Sequence, residues 1–600
     1  MATRKKTKKE DATTMAARQR EIAVSEFFSK NRHLLGFDNL SKALLTTVRE
    51  AVDNALDACE EAHILPEIRV TIEELNETRF KVTVEDNGPG ILKAQLPKIF
   101  AKLLYGSKFH RLKQSRGQQG IGISAAVMYG QMTTGQPAEV ISKISKGKPA
   151  HRLKLQIDTQ RNQPKVIDDV VVDNKHWREK ESGTAITVTL EATYKGGKHG
   201  VAAYLHQSAL SNPHTIFIFK DPKGKVHNYP RVIDEMPKEP REIKPHPHGI
   251  ELGTLMHMLE AARGKTVSGF LKETFSRVSS KTAADICKAA KIKGGATASK
   301  AGRIGAESLY NSIQATKLLA PSTDCLSPIG EEALIKGLYW LFVEAQKHEA
   351  EERKRKKSQQ DLFEGGEKKE KEGEEEAPEP VVEKDGENVQ MDLQLADDRT
   401  LSSDQKGYFV TAVTRSPNVY RGNPFQIEVG LFYGKGLAAD DQARVFRFAN
   451  RVPLQYQASA CAMTKAVTST KWKTYGLSQS RGALPIGPVV IMVHMASAWV
   501  PYTSESKEAI ANYDEILKEL RLAINECGRR LQKFLRRKRK EADEEKKRSY
   551  IIKYMDPIGD ALQEIIGFSD TERGKTVDSL REILEESRGH MPGGRSNPSS

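Results

Sequence analysis

Between Arg116 and Ser124 the chain reads Arg-Gly-Gln-Gln-Gly-Ile-Gly-Ile-Ser, and an apolar stretch, Ile123–Tyr129, follows at once. Three glycines spaced so closely, opening a helix, present backbone N–H groups to an anion. The positive end of the helix dipole adds to the attraction. The run Gly117, Gln118, Gln119, Gly120, Ile121, Gly122, Ile123, Ser124 therefore constrains the fold more than any other: it predicts a helix N-terminus facing phosphate. The spacing alone is not diagnostic. A dinucleotide fingerprint needs a preceding strand and a βαβ unit, and neither is present. A Walker A loop needs Gly-Lys-Ser/Thr, which is also missing. Just upstream, Gly106-Ser107-Lys108 offers a hydroxyl and a cation for the same phosphates.

Three other segments carry chemistry. In Ala43–Cys59, Leu44, Val48, Ala51, Ala55 and Ala58 recur at helical spacing and predict a buried face. Glu50 and Asn54 stand four apart and project together from another face. A carboxylate there polarises a water, and an amide oxygen helps to hold Mg²⁺ beside a triphosphate. Taken alone, the pair reads as an ordinary solvated helix face. Next, Ile68, Val70 and Ile72 alternate with polar residues, as do Phe80, Val82 and Val84, predicting two strands. The second strand runs into Glu85-Asp86-Asn87-Gly88-Pro89-Gly90. An Asp at a strand end accepts a hydrogen bond from an adenine amino group, and Gly88 and Gly90 let the backbone approach the base. Alone, this is a plain turn. Last, Ser182-Gly183-Thr184 leads into an alternating strand, Ile186, Val188 and Leu190.

The order of these four elements resembles the GHKL ATPase superfamily, which includes gyrase B subunits, mismatch-repair ATPases, ninety-kilodalton heat-shock chaperones and sensor histidine kinases. The resemblance implies a layered α/β sandwich with ATP and Mg²⁺ under a lid. It implies Glu50 as general base, Asn54 as Mg²⁺ ligand, Asp86 as adenine contact and Gly117–Ser124 as phosphate loop, with Thr184 near the adenine. Within that superfamily, Glu50–Ala62 and Arg116–Gly135 resemble the B subunits of type IIB DNA topoisomerases (topoisomerase VI). So do Ala449-Asn450-Arg451-Val452-Pro453-Leu454, Trp472-Lys473-Thr474-Tyr475, and Val500-Pro501-Tyr502-Thr503-Ser504 with Lys507, which match the family's transducer domain. The likeness covers most of residues 20–350 and 400–530. It implies an α+β multidomain chain: a GHKL sandwich, a helix-two-turns-helix domain and a transducer of ribosomal protein S5-like fold. Lys507, at the start of a long helix, is a flexible ammonium able to swing toward a γ-phosphate; the alternative is a surface lysine.

The chain's 600 residues predict three or four domains at roughly 150 residues each. We expect a disordered basic tail at 1–20, the ATPase domain at 21–235, the helical domain at 236–325 and the transducer at 326–548. Within the transducer, 349–398 is highly charged and almost free of aromatics, so it reads as a disordered insertion. A long charged helix is expected over Ser506–Arg548, and residues 549–600 as a segment that docks an A subunit, disordered at its end.

The net charge of +15 favours a polyanionic partner. Double-stranded DNA is the expected one, touched by Lys195 and Lys198, by Lys291 and Lys293 in a Lys-rich loop, and by Lys471 and Lys473 beside Trp472 and Tyr475. Solvated loops, or aromatics that are simply core, are the plain alternatives. The five cysteines form no CxxC pair, which fits a reducing cytoplasm and argues against structural zinc or a disulfide framework; association with the nucleoid is what the topoisomerase resemblance implies. No apolar run is long enough to span a membrane. No Glu-Gly-Asp-Ser run of a cleavage domain is found, so strand cutting is expected from the A subunit, in an A₂B₂ complex whose B chains dimerise on ATP through Phe27–Phe37. Another GHKL machine, of mismatch-repair or chaperone type, or a non-catalytic DNA clamp is the competing reading.

Overall fold

The computed structural model describes residues 12–16, 26, 28, 30–106, 111–117, 120–345, 400–403, 407–434, 436–504, 506–567 and 569–586. Ser107, Lys108, Gln118, Gln119, Phe27 and the 349–398 insertion therefore lie outside the described residues. Within the 1–20 tail, Ala12–Ala16 form a short helix. The chain divides into two compact units, Met1–Lys473 with Leu477–Cys527, and Thr474–Gly476 with Gly528–Ser600.

The first unit holds two sheets. One has eight strands: β1 (Glu67–Asn76), β2 (Arg79–Asp86), β3 (Ala138–Lys143), β4 (Ala150–Asp158), β5 (Gln163–Val172), β6 (Gly183–Glu191), β7 (Ile216–Lys220) and β8 (Val226–Tyr229), in the order β5-β4-β3-β6-β2-β1-β7-β8. Only the β1–β7 pair is parallel. Helices α2 (Gly122–Thr134) and α3 (Val201–Ser211) each pack on α1 (Leu40–Glu61), and all three pack on this sheet. The α1 N-terminus is capped by Asn39, whose side chain accepts the Lys42 N–H at 2.8 Å.

A four-helix module follows: α4 (Leu252–Ala261), α5 (Val267–Thr274), α6 (Ser280–Ala289) and α7 (Gly302–Ala315). It closes on its own apolar cluster, with Leu255, Phe270, Leu271, Ile286 and Leu309 buried. Thr266 and Ser279 cap α5 and α6. Helix α8 (Glu331–Tyr339) then continues as a wider π-turn over Trp340–Glu344.

The second sheet comprises β9 (Thr400–Ser403), β10 (Tyr408–Thr414), β11 (Asn418–Tyr420), β12 (Asn423–Gly434), β13 (Arg444–Ala449), β14 (Val452–Pro453) and β15 (Val489–Ser497). Strands β13 and β14 are joined by a tight turn at Asn450-Arg451, with Ala449 opposite Val452. Every residue of β15 is buried, because sheet neighbours flank it and both its faces are covered. Helix α8 packs on β10, β12 and α3, so both sheets share one apolar cluster.

The long helix is α9 (Asp514–Ile566), and α10 (Asp570–Glu586) follows it. It starts later than Ser506 because a Tyr502–Ile510 bridge and the left-handed Lys507 (φ +54°) occupy the preceding loop. It also runs on past Arg548 and through Pro557. Ion pairs one turn apart, such as Arg537–Glu541 at 3.8 Å, line its charged stretch. Beyond it, Met555 and Val577 are buried, and a Cβ on Gly559 would meet Val577 Cγ2 at 2.6 Å, so α9 and α10 approach closely there.

Candidate functional site

Strand periodicity delivers the first site residue. Along β2 the buried positions are Phe80, Val82, Val84 and then Asp86, all on the face that α1 covers. A carboxylate thus occupies the next core position after three apolar ones. Asp86 Oδ1 accepts the backbone N–H groups of Gly88 (2.9 Å) and Thr184 (3.1 Å). Burial pushes this carboxyl up to about 6, against the opposing pull of those two donors. Thr184 is brought there by pairing: β6 runs antiparallel to β2 with Glu85 opposite Ala185. Its hydroxyl lies 3.3 Å from that of Ser142.

The turn after Asp86 is locked. Asn87 Oδ1 accepts the Glu67 N–H at 2.8 Å, and its Nδ2 donates to the Leu65 carbonyl at 3.0 Å. Gly90 has φ +71°, and a side chain on it would overlap the Lys143 carbonyl. Only a glycine tolerates that approach.

At the other end stands the N-terminus of α2. It has no side-chain cap, so the N–H groups of its first turn are available to an anion. Gly120 takes φ +59°, which swings the loop into that helix. A Cβ on Gly122 would overlap the Glu50 carboxylate, so Glu50 lies directly against the start of α2. Arg49 Nη2 sits 3.1 Å from Glu50 Oε1. Three residues on, buried Asp53 accepts the Tyr204 hydroxyl at 3.1 Å. Burial, and then the Glu50 charge, push Asp53 up to about 7.

These groups enclose one cavity of about 540 Å³. That is within the range of pockets that take a cofactor-sized ligand, about 300–1,000 Å³. Glu50, Asn54, Asp86, Gly90, Gly117, Gly120, Ile121, Gly122, Ile123, Thr184 and Lys507 all line it. Gly88 supports Asp86 from the turn instead, and Ser124 is buried in α2 with its hydroxyl donating to the Ile121 carbonyl at 3.0 Å. The face of α1 expected to be buried is buried at Leu44, Val48, Ala51 and Ala55 and half-buried at Ala58. Ala51, Ala55 and Ala58 also line the cavity, where their small size leaves room.

Lys507 enters from the loop between β15 and α9, and its Nζ lies 3.4 Å from the Arg116 carbonyl. The next residue, Glu508, is paired with Lys42 of α1 at 2.5 Å, with both side chains largely buried. Residues outside the sequence expectation also line the cavity, among them Phe37, Arg49, Tyr105 and Ser506. Phe37 stacks on Tyr129 at 4.9 Å and meets Phe28 at 5.8 Å within the same chain. Arg49 adjoins Glu50 in sequence and was readable as its partner; for Phe37, Tyr105 and Ser506 no spacing signal existed.

The basic candidates lie elsewhere. Lys195, Lys198, Lys291, Lys293 and Lys471 are exposed on loops and Lys473 on the short 3-10 turn Trp472–Tyr475, all away from the cavity. Trp472 is core: fully buried, its indole N–H donates to the Val467 carbonyl at 2.9 Å. Among the described residues no cluster of three or more His, Cys, Asp or Glu is arranged to hold a metal ion, and no helix is long and apolar enough to cross a membrane. A single amide ligand, Asn54 on the cavity wall near Gly117, still suits Mg²⁺, which keeps several waters and takes further oxygens from phosphate.

Comparison with known proteins matches residues 39–194 to the family described as histidine kinase-, DNA gyrase B- and HSP90-like ATPase. Residues 397–547 match the family described as topoisomerase VI B subunit, transducer. Three curated relatives each carry the name of the B subunit of type 2 DNA topoisomerase 6. The one from Archaeoglobus fulgidus is 43% identical, over 96% of this chain and 84% of its own length. That from Methanococcoides burtonii is 45% identical, over 88% and 74%. That from Pyrococcus horikoshii is 36% identical, over 91% and 92%.

Proposed function

The chain belongs to the family of type 2 DNA topoisomerase 6 B subunits, and we propose that the cavity between β2, β6, α1 and α2 is where it binds and hydrolyses ATP. It is an ATP-hydrolysing, ATP-driven subunit of a type II DNA topoisomerase. The observation that carries the site assignment is the single cavity shared by Asp86, Asn54, Glu50, Gly120 and Lys507.

Asp86 accepts from the adenine amino group, with Thr184 beside it. Its Oδ1 already holds two backbone donors, which leaves Oδ2 for the base. The α2 N-terminus and the Gly117–Ile123 backbone receive the phosphates. Asn54 holds Mg²⁺, which when bound neutralises phosphate charge. Glu50, with Arg49 against it, takes a proton from the attacking water. Lys507 meets the γ-phosphate and lets the second sheet register its presence; hydrolysis removes that partner and resets the contact.

The relatives' names imply an A subunit and DNA as partners. We place strand cleavage in that A subunit, within an A₂B₂ assembly. Two B chains close on ATP through their N-terminal segments around Phe27–Phe37, so that one duplex passes through another. The exposed lysines named above are candidates for contact with duplex backbone. Five buried free cysteines suit a reducing cytoplasm, and a DNA partner would place the chain on the nucleoid. Similarity over 96% of the chain, helical module included, favours this reading over a mismatch-repair ATPase, a chaperone or a passive clamp.

The test is relaxation of supercoiled plasmid by the full chain co-purified with a type 2 topoisomerase 6 A subunit. Relaxation should require ATP and Mg²⁺ and be lost in Asn54→Ala. Relaxation without ATP, or full activity of Asn54→Ala, would overturn the assignment.

A further inference from the structure

The turn Asn450-Arg451 between β13 and β14 is left-handed at both residues, φ +49° and +67°. A two-residue hairpin of that kind favours Asn then Gly. An arginine in the glycine position is strained, and strain of this sort persists only where its surroundings over-determine it.

What surrounds Arg451 is a buried network that joins the two sheets. Its centre is the Glu60 carboxylate, on α1. Arg116 grips it with a two-pronged contact, Nη2 to Oε1 at 2.6 Å and Nη1 to Oε2 at 3.0 Å. His214 Nε2 lies 2.9 Å from Oε1, and Arg451 Nη1 lies 3.4 Å and 3.5 Å from the two oxygens. Arg451 Nη2 donates to the Ser327 hydroxyl at 2.6 Å and to the Ser327 and Pro328 carbonyls at 3.0 and 3.3 Å. Its N–H donates to His494 Nε2 at 3.0 Å. Because that nitrogen accepts, His494 carries its proton on Nδ1 and donates it to Glu428 at 2.8 Å. The side chains of Arg116 and Arg451 are only 4% and 3% exposed, so water cannot replace these partners.

The network ends at the nucleotide cavity. Arg116 immediately precedes Gly117, the first glycine of the phosphate loop. Its guanidinium also donates to Asp57 at 2.8 Å and to Asn212 at 2.6 Å, while its carbonyl is the one that Lys507 reaches. Asn450 holds the preceding residue, donating to the Ser115 carbonyl at 3.1 Å. The second sheet therefore grasps the root of the phosphate loop at two places besides Lys507.

We infer that Arg451, acting through Glu60, is a positioning residue for the phosphate loop: it fixes Arg116, hence the path of Gly117, and sets affinity for the triphosphate independently of Lys507. The inference rests on the cavity being the ATP site. A lysine at 451 keeps the charge but cannot reach Glu60 and Ser327 together. In steady-state ATPase assays of the full chain, Arg451→Lys should raise KM for ATP about tenfold while kcat stays within about threefold. Glu60→Gln should do the same. The double variant should be no worse than either, because both interrupt one chain of contacts.

A lowered melting temperature with an unchanged KM, or rises in KM that multiply in the double variant, would reduce Arg451 to a purely structural part. Should Arg451→Lys not fold, Ser327→Ala removes only one of its hydrogen bonds. It should still raise KM about two- to threefold, and no change would overturn the inference. Asn54→Ala separates the two levels. If ATP hydrolysis is indifferent to it, the site assignment fails. If it is inactive while Arg451→Lys keeps the wild-type KM, only the positioning role fails.

Discussion

The two ends of the cavity are built differently. At the end assigned to the base, every part comes from one sheet and is already held. Asp86 is clasped by two backbone donors, Asn87 ties the turn to β1, and Gly90 lies against the Lys143 carbonyl. Nothing there needs to rearrange to receive a ligand, which is what preorganised recognition requires. At the phosphate end, the open helix terminus belongs to the first sheet's layer, but the facing cation is brought by a loop of the second. Lys507 is left-handed, and its Nζ contact at 3.4 Å is at the long limit for a hydrogen bond. Such a contact is readily exchanged for a phosphate oxygen. The neighbouring Lys42–Glu508 pair keeps the loop in place while Lys507 itself is weakly tied. On the function proposed above, the contrast separates recognition from signalling: one end would determine what binds, the other would report that it has bound.

That division is broken most decisively at Glu50, which serves neither purpose. Glu50→Ala should lower kcat by about 10²–10⁴-fold while leaving affinity for a non-hydrolysable ATP analogue within a few-fold. Wild-type turnover in that variant, measured by phosphate release, would remove Glu50 as the base. Next comes Lys507→Ala. A charged hydrogen bond of about 1.5–3 kcal/mol corresponds to about 10- to 150-fold in kcat/KM. The loss should fall on kcat/KM for ATP and leave adenosine binding untouched, since that ligand lacks phosphates. Equal weakening of adenosine would mean that the two ends are not separable.

The base end was also the more legible one in the sequence. Alternation through Phe80, Val82 and Val84 extends to Asp86, and the glycines after it mark where the backbone must come close. The phosphate loop was visible for the same reason, because glycine is required where no side chain fits. The second sheet's contribution was harder to read. Asp53, Asp57 and Glu60 recur on α1 at helical spacing, a row of acids on a helix with a buried face. Their partners Arg116, Tyr204 and Arg451 are tens to hundreds of residues away, so nothing local announced the network. The start of α9 falls after the expected Ser506 because charge composition alone does not mark a boundary; the left-handed Lys507 and the Tyr502–Ile510 bridge do.

The smallest effect sharpens the comparison through pH. Burial raises Asp86 to about 6, so it takes up a proton between pH 7 and pH 5. With Oδ1 engaged by Gly88 and Thr184, the proton goes to Oδ2 and turns an acceptor into a donor. The adenine amino group then loses its partner, and ATP affinity should fall as pH drops through about 6. The ionised fraction changes from about nine-tenths to about one-tenth over that range, so Kd should rise up to about tenfold. Stability moves the other way. A carboxyl raised in the fold contributes stability that is present below its unfolded value near 3.8 and is lost as pH rises through about 6. Asp53, raised to about 7, has the same sign. Nucleotide-free protein should thus gain stability from these two groups between pH 7 and 5 while its hold on ATP weakens. Inorganic triphosphate, which titrates as the ATP phosphates do but carries no base, supplies the control. It should compete at the phosphate end without the additional loss. If ATP and triphosphate lose affinity in parallel, Asp86 is not what reads the base.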